Sequence, residues 1–206
     1  MKNNLSFREF YKRRLPHIQI AGATYFITFR LANSLPQEAL NRLAEEKQKI
    51  ARLPESQKES AHRAWFAKYD DYLDMAQHGN LYLQNEQIAD IVAESIQFRD
   101  GKVYDLISYC IMPNHGHLVC TPLEKSDRTY ISLTEILHSL KRHTAREANK
   151  ILQSSGAFWQ DESYDHFIRD DAELDRIVKY VLYNPVKANL VKKQMDWKWT
   201  YCQYEN

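Results

Sequence analysis

The feature that most constrains the fold is a pair of strand-like segments separated by only two residues. Residues 103–112 and 115–121 have the composition and length of strands, and Pro113 and Asn114 between them are typical of a tight connection. Strands joined this closely usually pair with each other. The sequence therefore predicts a β-hairpin.

The segments on either side of the hairpin follow a regular order. A strand is predicted over 23–31, where aromatic and β-branched side chains alternate with their neighbours, and a short strand over 163–168. Helices with apolar residues at helical spacing are predicted over 85–99 and 133–153. The order strand, helix, strand, strand, helix, strand predicts an α+β fold with a ferredoxin-like antiparallel sheet and helices on one face.

Capping signals mark the starts of two helices. Ser132 with Glu135 three residues later forms the capping-box pattern. Asp170 is the candidate cap of a further, C-terminal helix, and Pro185 is expected to interrupt or end that helix near Asn184.

Two more helical segments lie between the first strand and the 85–99 helix. Residues 37–52 and 56–74 have helical composition and are separated at Pro54. They are interpreted as a helical insertion at about residues 37–75, in the first crossover of a single domain that spans residues 1–206.

The composition is that of a globular protein, with 44% hydrophobic and 27% charged residues. The three cysteines, Cys110, Cys120 and Cys202, show no CxxC spacing, so neither a disulfide framework nor a thiolate zinc site is expected. No signal peptide or membrane-spanning run is recognised. These features predict a protein of the reducing cytoplasm without a membrane partner.

Two histidines occupy alternate positions on the second hairpin strand. Residues i and i+2 of a strand point to the same face, so the imidazoles of His115 and His117 can bind one divalent metal ion. An isolated pair of this kind is also compatible with two polar side chains on a solvent-facing strand. The pair alone is therefore a weak signal.

A second candidate pair lies on the C-terminal helix. Tyr180 and Asn184 are four residues apart, so their side chains are neighbours on one side of the helix. Counted around the helix, both lie beside its apolar stripe and can border the sheet while remaining reachable. An edge-packing tyrosine and a helix-ending asparagine would show the same spacing.

Candidate DNA contacts depend on where charges lie, because the net charge of +1 gives no support to nucleic-acid binding. A row at four-residue spacing follows the 133–153 helix and can track a phosphate backbone. The basic N-terminal segment and the C-terminal helix add further candidates. The candidate contacts are Arg13, Arg14, His138, Arg142, Arg146, Lys150 and Lys187. A charge row is also typical of a solvated face, and Glu147 weakens the positive field here.

Several separate motifs in the correct order resemble one protein family. They are TYFITFRL at 24–31, MPNHGHLV at 112–119, SLKRHTAREAN at 139–149, FWQDESYDHFIRD at 158–170 and YVLYNPVKANLV at 180–191. Together they resemble the REP-associated tyrosine transposases, which are part of the insertion-sequence-200-like superfamily of HUH nucleases. The resemblance extends from about Arg13 to Trp199 and is weakest in the 37–74 region.

The resemblance implies the roles of the site residues. His115 and His117 match the HUH histidines that bind Mg²⁺ or Mn²⁺, and Asn184 matches a third polar side chain near the metal. Tyr180 matches the nucleophilic tyrosine. Two further residues, His166 and Arg169, match polar positions that recur in the family.

One residue departs from the family pattern. The middle HUH residue is normally bulky and hydrophobic, but here it is Gly116, which faces away from the metal. Because glycine weakens the interior of a strand, the departure concerns local packing rather than ligation.

The sequence and the resemblance together predict metal-dependent nicking and transfer of single-stranded DNA through a covalent 5′-phosphotyrosine. The expected DNA partner is a hairpin or palindrome, and the expected location is the cytoplasm, in association with the nucleoid. A homodimer is possible in the family, since some HUH transposases exchange the tyrosine helix, whereas REP-associated members can act alone. The alternatives are a domesticated, non-transposing hairpin-binding protein and a zinc hydrolase that would need a third ligand.

Overall fold

The computed structural model describes residues 7–12, 16–75 and 79–204, with side chains from residue 20 onward. The helices and strands, in chain order, are β1 (Phe7–Lys12), β2 (Pro16–Ile20), β3 (Tyr25–Arg30), α1 (Gln37–Ala51), α2 (Glu55–Asp74), α3 (Glu86–Gln97), β4 (Tyr104–Ile111), β5 (His115–Pro122), α4 (Leu133–Ile151), β6 (Tyr164–Phe167), α5 (Asp171–Lys187) and β7 (Thr200–Cys202).

Five strands form one antiparallel sheet in the order β6-β3-β5-β4-β7. β4 and β5 pair directly, with Ile111 opposite Gly116, so the predicted hairpin is confirmed. The first four strands of this order have the ferredoxin-like arrangement, and the α+β prediction is confirmed. β1 and β2 form a separate two-stranded sheet.

Strand alternation gives the main sheet two different faces. On β3, Tyr25, Ile27 and Phe29 belong to the large hydrophobic cluster that also contains buried residues of α3 and α4. Phe26 points the other way, into a smaller cluster with Val181 of α5. The two crossover helices thus share one face, while α5 lies over the opposite face.

Both helices at 37–75 form as helices, with α2 beginning directly after Pro54. Trp65, Tyr69 and Leu73 of α2 are buried in a cluster with Leu43 of α1. Phe66 of α2 packs against the smaller cluster on the α5 face of the sheet. α2 therefore brings its C-terminal half next to α5.

The capping prediction holds at α4, where Ser132 and Glu135 satisfy each other's backbone donors. The expected end of the last helix near Asn184 is wrong, because α5 continues through Pro185 to Lys187. The helix tolerates this proline because the next turn is completed by the Ala188 amide, which donates to the Asn184 carbonyl. This extra turn carries Lys187.

Two further observations concern the expectations from the sequence. Arg13 and Arg14, expected as DNA contacts, lie outside the described residues. Across the residues that are described, no helix is both long and apolar enough to cross a membrane.

Candidate active site

Two buried imidazoles form the centre of the site. His115 and His117 on β5 are each 0% exposed, so they do not lie on a solvent-facing strand surface. Their Nε2 atoms lie 3.1 Å apart. The strand alternation that placed them on one face also directs both nitrogens to the same point.

Hydrogen bonds position both imidazoles and hold His115 in the tautomer that leaves its Nε2 unprotonated. His115 Nδ1 lies 2.6 Å from Asn114 Oδ1, which only accepts, so Nδ1 must donate. His117 Nδ1 lies 2.9 Å from the Thr28 hydroxyl, and its Nε2 lies 2.7 Å from Asn184 Nδ2. Burial and the neighbouring His117 lower the pKa of His115 to about 3, which keeps this ring neutral.

The third member of the cluster, Asp70, comes from α2. Asp70 is 0% exposed, and its Oδ1 lies 3.4 Å from His117 Nε2. Ligand atoms of Asp70, His115 and His117 all lie within 4.8 Å of one another. Burial raises the pKa of Asp70, but the contact with His117 outweighs burial, so the pKa of Asp70 lies below its ordinary range.

Sequence reasoning missed Asp70. The only local signal is its position beside the apolar residues Trp65, Tyr69 and Leu73, which recur at helical spacing on α2. That spacing predicts a packed helix face but does not indicate what the helix packs against.

Tyr180 on α5 faces the same pocket. Its ring centroid lies 5.6 Å from that of His117, and the rings of Phe26 and Phe66 contact it edge-on at 6.0 and 6.2 Å. Asn184 Nδ2 lies 3.4 Å from the phenolic oxygen. Burial, and after it the negative charge of Asp70, raises the pKa of Tyr180 well above its ordinary value.

The donor set fits a divalent cation. The two Nε2 atoms lie 3.1 Å apart, close enough for both imidazoles to bind the same ion. Among the described residues, Asp70 Oδ1 and Asn184 Oδ1 are buried acceptors without a hydrogen-bond donor. Imidazole nitrogens together with carboxylate and amide oxygens suit Mn²⁺, and Mg²⁺ accepts the oxygens with added waters.

Lys187 lies at the edge of this cluster. Its Nζ lies 3.0 Å from Asp70 Oδ2, 2.8 Å from Asp71 Oδ1 and 3.0 Å from Asp74 Oδ2. Burial lowers the pKa of Lys187, but the three carboxylates outweigh it and raise the pKa above its ordinary value. Its charge is therefore paired within the chain, and the DNA contact expected of Lys187 stays a prediction.

The basic row on α4 lies on the opposite side of the sheet. His138, Arg142 and Arg146 line an open groove of about 870 Å³ between α3 and α4. Arg146 and Lys150 both pair with Glu147, at 2.8 Å each. The structure does not bring this row together with Tyr180.

His166 and Arg169 connect β6 to the start of α5. His166 Nε2 lies 3.0 Å from Glu173 Oε1, and the Arg169 amide donates to Glu173 Oε2 at 2.9 Å. The Arg169 guanidinium also pairs with Glu59 of α2. These contacts hold the N-terminus of α5 in position.

Gly116 is required by its neighbour across the sheet. A Cβ atom at this position would lie 2.7 Å from Cζ of Phe29, which is opposite Gly116 in the pairing of β3 and β5. Phe29 in turn packs edge-on against Trp159, with ring centroids 5.0 Å apart. The aromatic ring thus fills the space that a bulky middle residue would occupy, on the face opposite the imidazoles.

Comparisons with known proteins agree with this architecture. The family model described as "Transposase IS200 like" matches residues 57–184. A Haemophilus influenzae protein assigned to the REP-associated tyrosine transposases is 28% identical over 102 residues, which cover 47% of this chain and 58% of that protein. The REP-associated tyrosine transposase of Escherichia coli K12 is 24% identical over 102 residues, covering 50% of this chain and 56% of that protein.

A solved structure shares the fold. The structure of a REP-associated tyrosine transposase bound to a REP hairpin superposes with a TM-score of 0.54 at 17% identity, covering 94% of this chain and 82% of that chain. The curated relatives are matched over little more than half of their lengths. The family model covers well over half of the chain, and the protein belongs to the IS200-like transposase family.

Proposed function

We propose that the chain cuts single-stranded DNA and transfers the cut strand, with Tyr180 as the nucleophile. The observation that carries the proposal is that the phenol and the two imidazoles share one pocket, with Tyr180 and His117 ring centroids 5.6 Å apart. Asn184 Nδ2 contacts both residues. A single phosphodiester can therefore contact the nucleophile and the imidazole pair at once.

In the proposed reaction the phenol of Tyr180 gives up its proton, and its oxygen forms a bond to the scissile phosphorus. The bond from phosphorus to the 3′ oxygen breaks, and that oxygen takes up a proton and leaves as a 3′-hydroxyl. The 5′ phosphate remains covalently attached to the tyrosine. Attack by a second 3′-hydroxyl reverses the step and restores the phenol, so strand transfer requires no ATP.

The side chains around Tyr180 control when this phenol reacts. Burial and the Asp70 carboxylate keep the hydroxyl protonated in the free protein. A divalent cation, Mg²⁺ or Mn²⁺, held by His115, His117 and Asp70 with Asn184 Oδ1 as a further donor, would stabilise negative charge on the phosphate and offset that of Asp70. Asn114 keeps His115 in the ligating tautomer, and the Thr28 hydroxyl orients the ring of His117 through Nδ1.

Hairpin DNA is the proposed substrate because the similar solved structure holds a REP hairpin. The row on α4 and the basic N-terminal residues Arg13 and Arg14 remain candidate phosphate contacts. A homodimer remains a prediction. Location in the cytoplasm with the nucleoid also remains a prediction.

The test is formation of a covalent adduct with a labelled single-stranded hairpin in Mg²⁺ or Mn²⁺, read on a denaturing SDS gel. We expect an adduct with the unaltered chain and none with Tyr180→Phe. Tyr183→Phe is the matched control, because Tyr183 lies on the same helix and is 56% exposed. An adduct that survives Tyr180→Phe contradicts the assignment of the nucleophile. Hairpin binding without an adduct in the unaltered chain would favour the domesticated binding protein.

Asp70 supplies the third ligand that a zinc hydrolase needs, so this second candidate also has a specific observation in its favour. Elemental analysis of the protein as isolated separates the two. Stoichiometric zinc, with hydrolysis that persists in Tyr180→Phe, would favour the hydrolase.

A further inference from the structure

An ammonium group and three carboxylates form a cluster where the end of α5 meets the end of α2. Lys187 Nζ lies within 3.0 Å of a carboxylate oxygen of each of Asp70, Asp71 and Asp74. Asp70 and Asp74 are one turn apart and buried, with side chains 1% and 8% exposed, whereas the Asp71 side chain is 57% exposed. Burial and the charge of Asp70 raise the pKa of Asp74 to about 6, and the Lys187 ammonium group offsets the repulsion between the two carboxylates.

The Asp70 carboxylate is shared between two groups. Its Oδ2 accepts a hydrogen bond from Lys187 Nζ at 3.0 Å, and its Oδ1 lies 3.4 Å from His117 Nε2. When a hydrogen bond fixes one oxygen of a carboxylate, the direction of the other oxygen is fixed too, because the group is planar. The contact with Lys187 therefore sets the direction of the oxygen that faces the imidazoles.

Lys187 is connected to the site through its own helix. Tyr180, Asn184 and Lys187 follow at spacings of four and three residues, so they lie along one side of α5. Asp70 reaches this side of α5 from α2, a helix that also accepts a hydrogen bond from Asn114 Nδ2 at the Leu73 carbonyl. The Lys187 contact thus joins the helix of the nucleophile to the helix of the third ligand.

We propose that Lys187 is a positioning residue, whose ammonium group holds the Asp70 carboxylate so that Oδ1 points at the paired imidazoles. This inference rests on the proposed function, because it assigns Lys187 a task only if Asp70 helps to bind the cation. Lys187 touches neither the imidazoles nor the phenol in the described contacts. It acts through Asp70.

A direct phosphate contact by Lys187 is disfavoured by the charge around it. One ammonium group among three carboxylates leaves a net negative cluster, which repels a DNA backbone. A simple surface ion pair does not describe the contact either, because two of the three partners are buried.

The experiment measures binding of Mn²⁺ alone to the full chain, without DNA, by titration calorimetry and electron paramagnetic resonance. We expect Lys187→Met to weaken Mn²⁺ binding by about tenfold, the effect typical of losing a partner that orients a ligand. Lys187→Arg should retain most of the affinity, since it keeps the charge and the donors. Lys179→Met is the matched control, because Lys179 lies on the same helix and pairs only with the exposed Asp175 in the described contacts.

Unchanged or tighter Mn²⁺ binding in Lys187→Met overturns the inference, the second outcome showing that Lys187 repels the ion instead of orienting its ligand. If Lys187→Met does not fold, the double variant Lys187→Met with Asp74→Asn removes the carboxylate repulsion, and the same loss is expected. Hairpin affinity in EDTA should keep its salt dependence in Lys187→Met, whereas a lost phosphate contact would lower the slope by about one.

Failure of the proposed function gives a different pattern. If the unaltered chain does not bind Mn²⁺, or binds it equally well after His117→Ala, the cation site itself is absent. If both of these controls behave as expected and only Lys187→Met has no effect, the site stands and the positioning role fails.

Discussion

The two faces of the sheet are made by the same strands, but only the face toward α2 and α5 adds buried polar side chains to its apolar cluster. Toward α3 and α4, β3 contributes Tyr25, Ile27 and Phe29, which are buried in a continuous apolar cluster. Toward α2 and α5, the same strand contributes Thr28 and Arg30, also buried, beside the two imidazoles of β5.

The faces also differ in how well their polar groups are satisfied. On the α2 and α5 side, Asp70 Oδ1 and Asn184 Oδ1 are buried without a hydrogen-bond donor from the described part of the chain. Buried acceptors of this kind destabilise a fold. The comparison teaches that the α3 and α4 face provides stability, whereas the α2 and α5 face gives up stability to form a binding site.

The largest predicted effects are a loss of stability from a substitution on the α3 and α4 face and a loss of activity from one on the α2 and α5 face. Leu140→Ala removes a side chain of α4 that is 0% exposed, and we expect it to lower the free energy of unfolding by about 2–5 kcal/mol. Asp70→Asn should instead reduce the rate of adduct formation, by about 100-fold if metal binding limits the reaction, with a small change in stability. Urea unfolding and the adduct assay, done on both variants, measure the two properties.

The comparison fails if the two variants behave alike. Leu140→Ala should form adducts at a nearly normal rate per folded molecule, below its unfolding temperature. A normal adduct rate in Asp70→Asn would mean that Asp70 is a packing residue of α2.

A smaller effect on stability is expected at Gly116, which lies between His115 and His117 on β5 and faces Phe29 on the apolar side of the sheet. Gly116→Val places methyl groups against Phe29 on the apolar face, and overpacking should lower the free energy of unfolding by about 1–3 kcal/mol. Phe29→Leu added to Gly116→Val should recover part of this loss, because it vacates the contact. Thermal unfolding of both single variants and the double variant measures the coupling, and purely additive losses would contradict it.

The smallest effect concerns Glu173, which anchors the start of α5. Burial opposes its charge, but the Arg169 amide and His166 outweigh burial and lower the pKa of Glu173 below 4.5. A carboxyl whose pKa is lower in the folded state contributes stability above its unfolded pKa and loses it as pH falls through the folded value. Glu173→Gln should therefore be less stable than the unaltered chain at pH 7, with the difference shrinking below about pH 4.5. A difference that stays constant with pH would contradict this assignment.

Much of the fold was predicted from signals within short stretches of the sequence. The short connection at Pro113 and Asn114 was enough to predict the hairpin, since closely joined strands have few other partners. The capping box of Ser132 and Glu135 was enough to predict where α4 begins. β7 was not predicted, because three residues at a sheet edge carry too little pattern and pair only through contacts with β4.

The same local signals could not predict contacts between residues that are far apart in the sequence. The row on α4 has the spacing of a phosphate contact, yet the sequence does not indicate on which side of the sheet that helix lies. Lys187 was predicted only as a candidate DNA contact, because the three carboxylates that it contacts lie on α2, far away in the sequence. The spacing of residues along one helix or strand predicts which side chains share a face, but it does not predict which other element packs against that face.

The sequence by itself determined the order of the elements from β3 to α5, the common face of His115 and His117, and the common side of Tyr180 and Asn184. These follow from the repeat of a strand or a helix, which is local. The tertiary structure alone decided that α2 brings Asp70 to the imidazoles and that Lys187 holds it there. Those contacts join residues far apart in the chain, and they form only because packing of apolar faces brings α2 and α5 together on one side of the sheet.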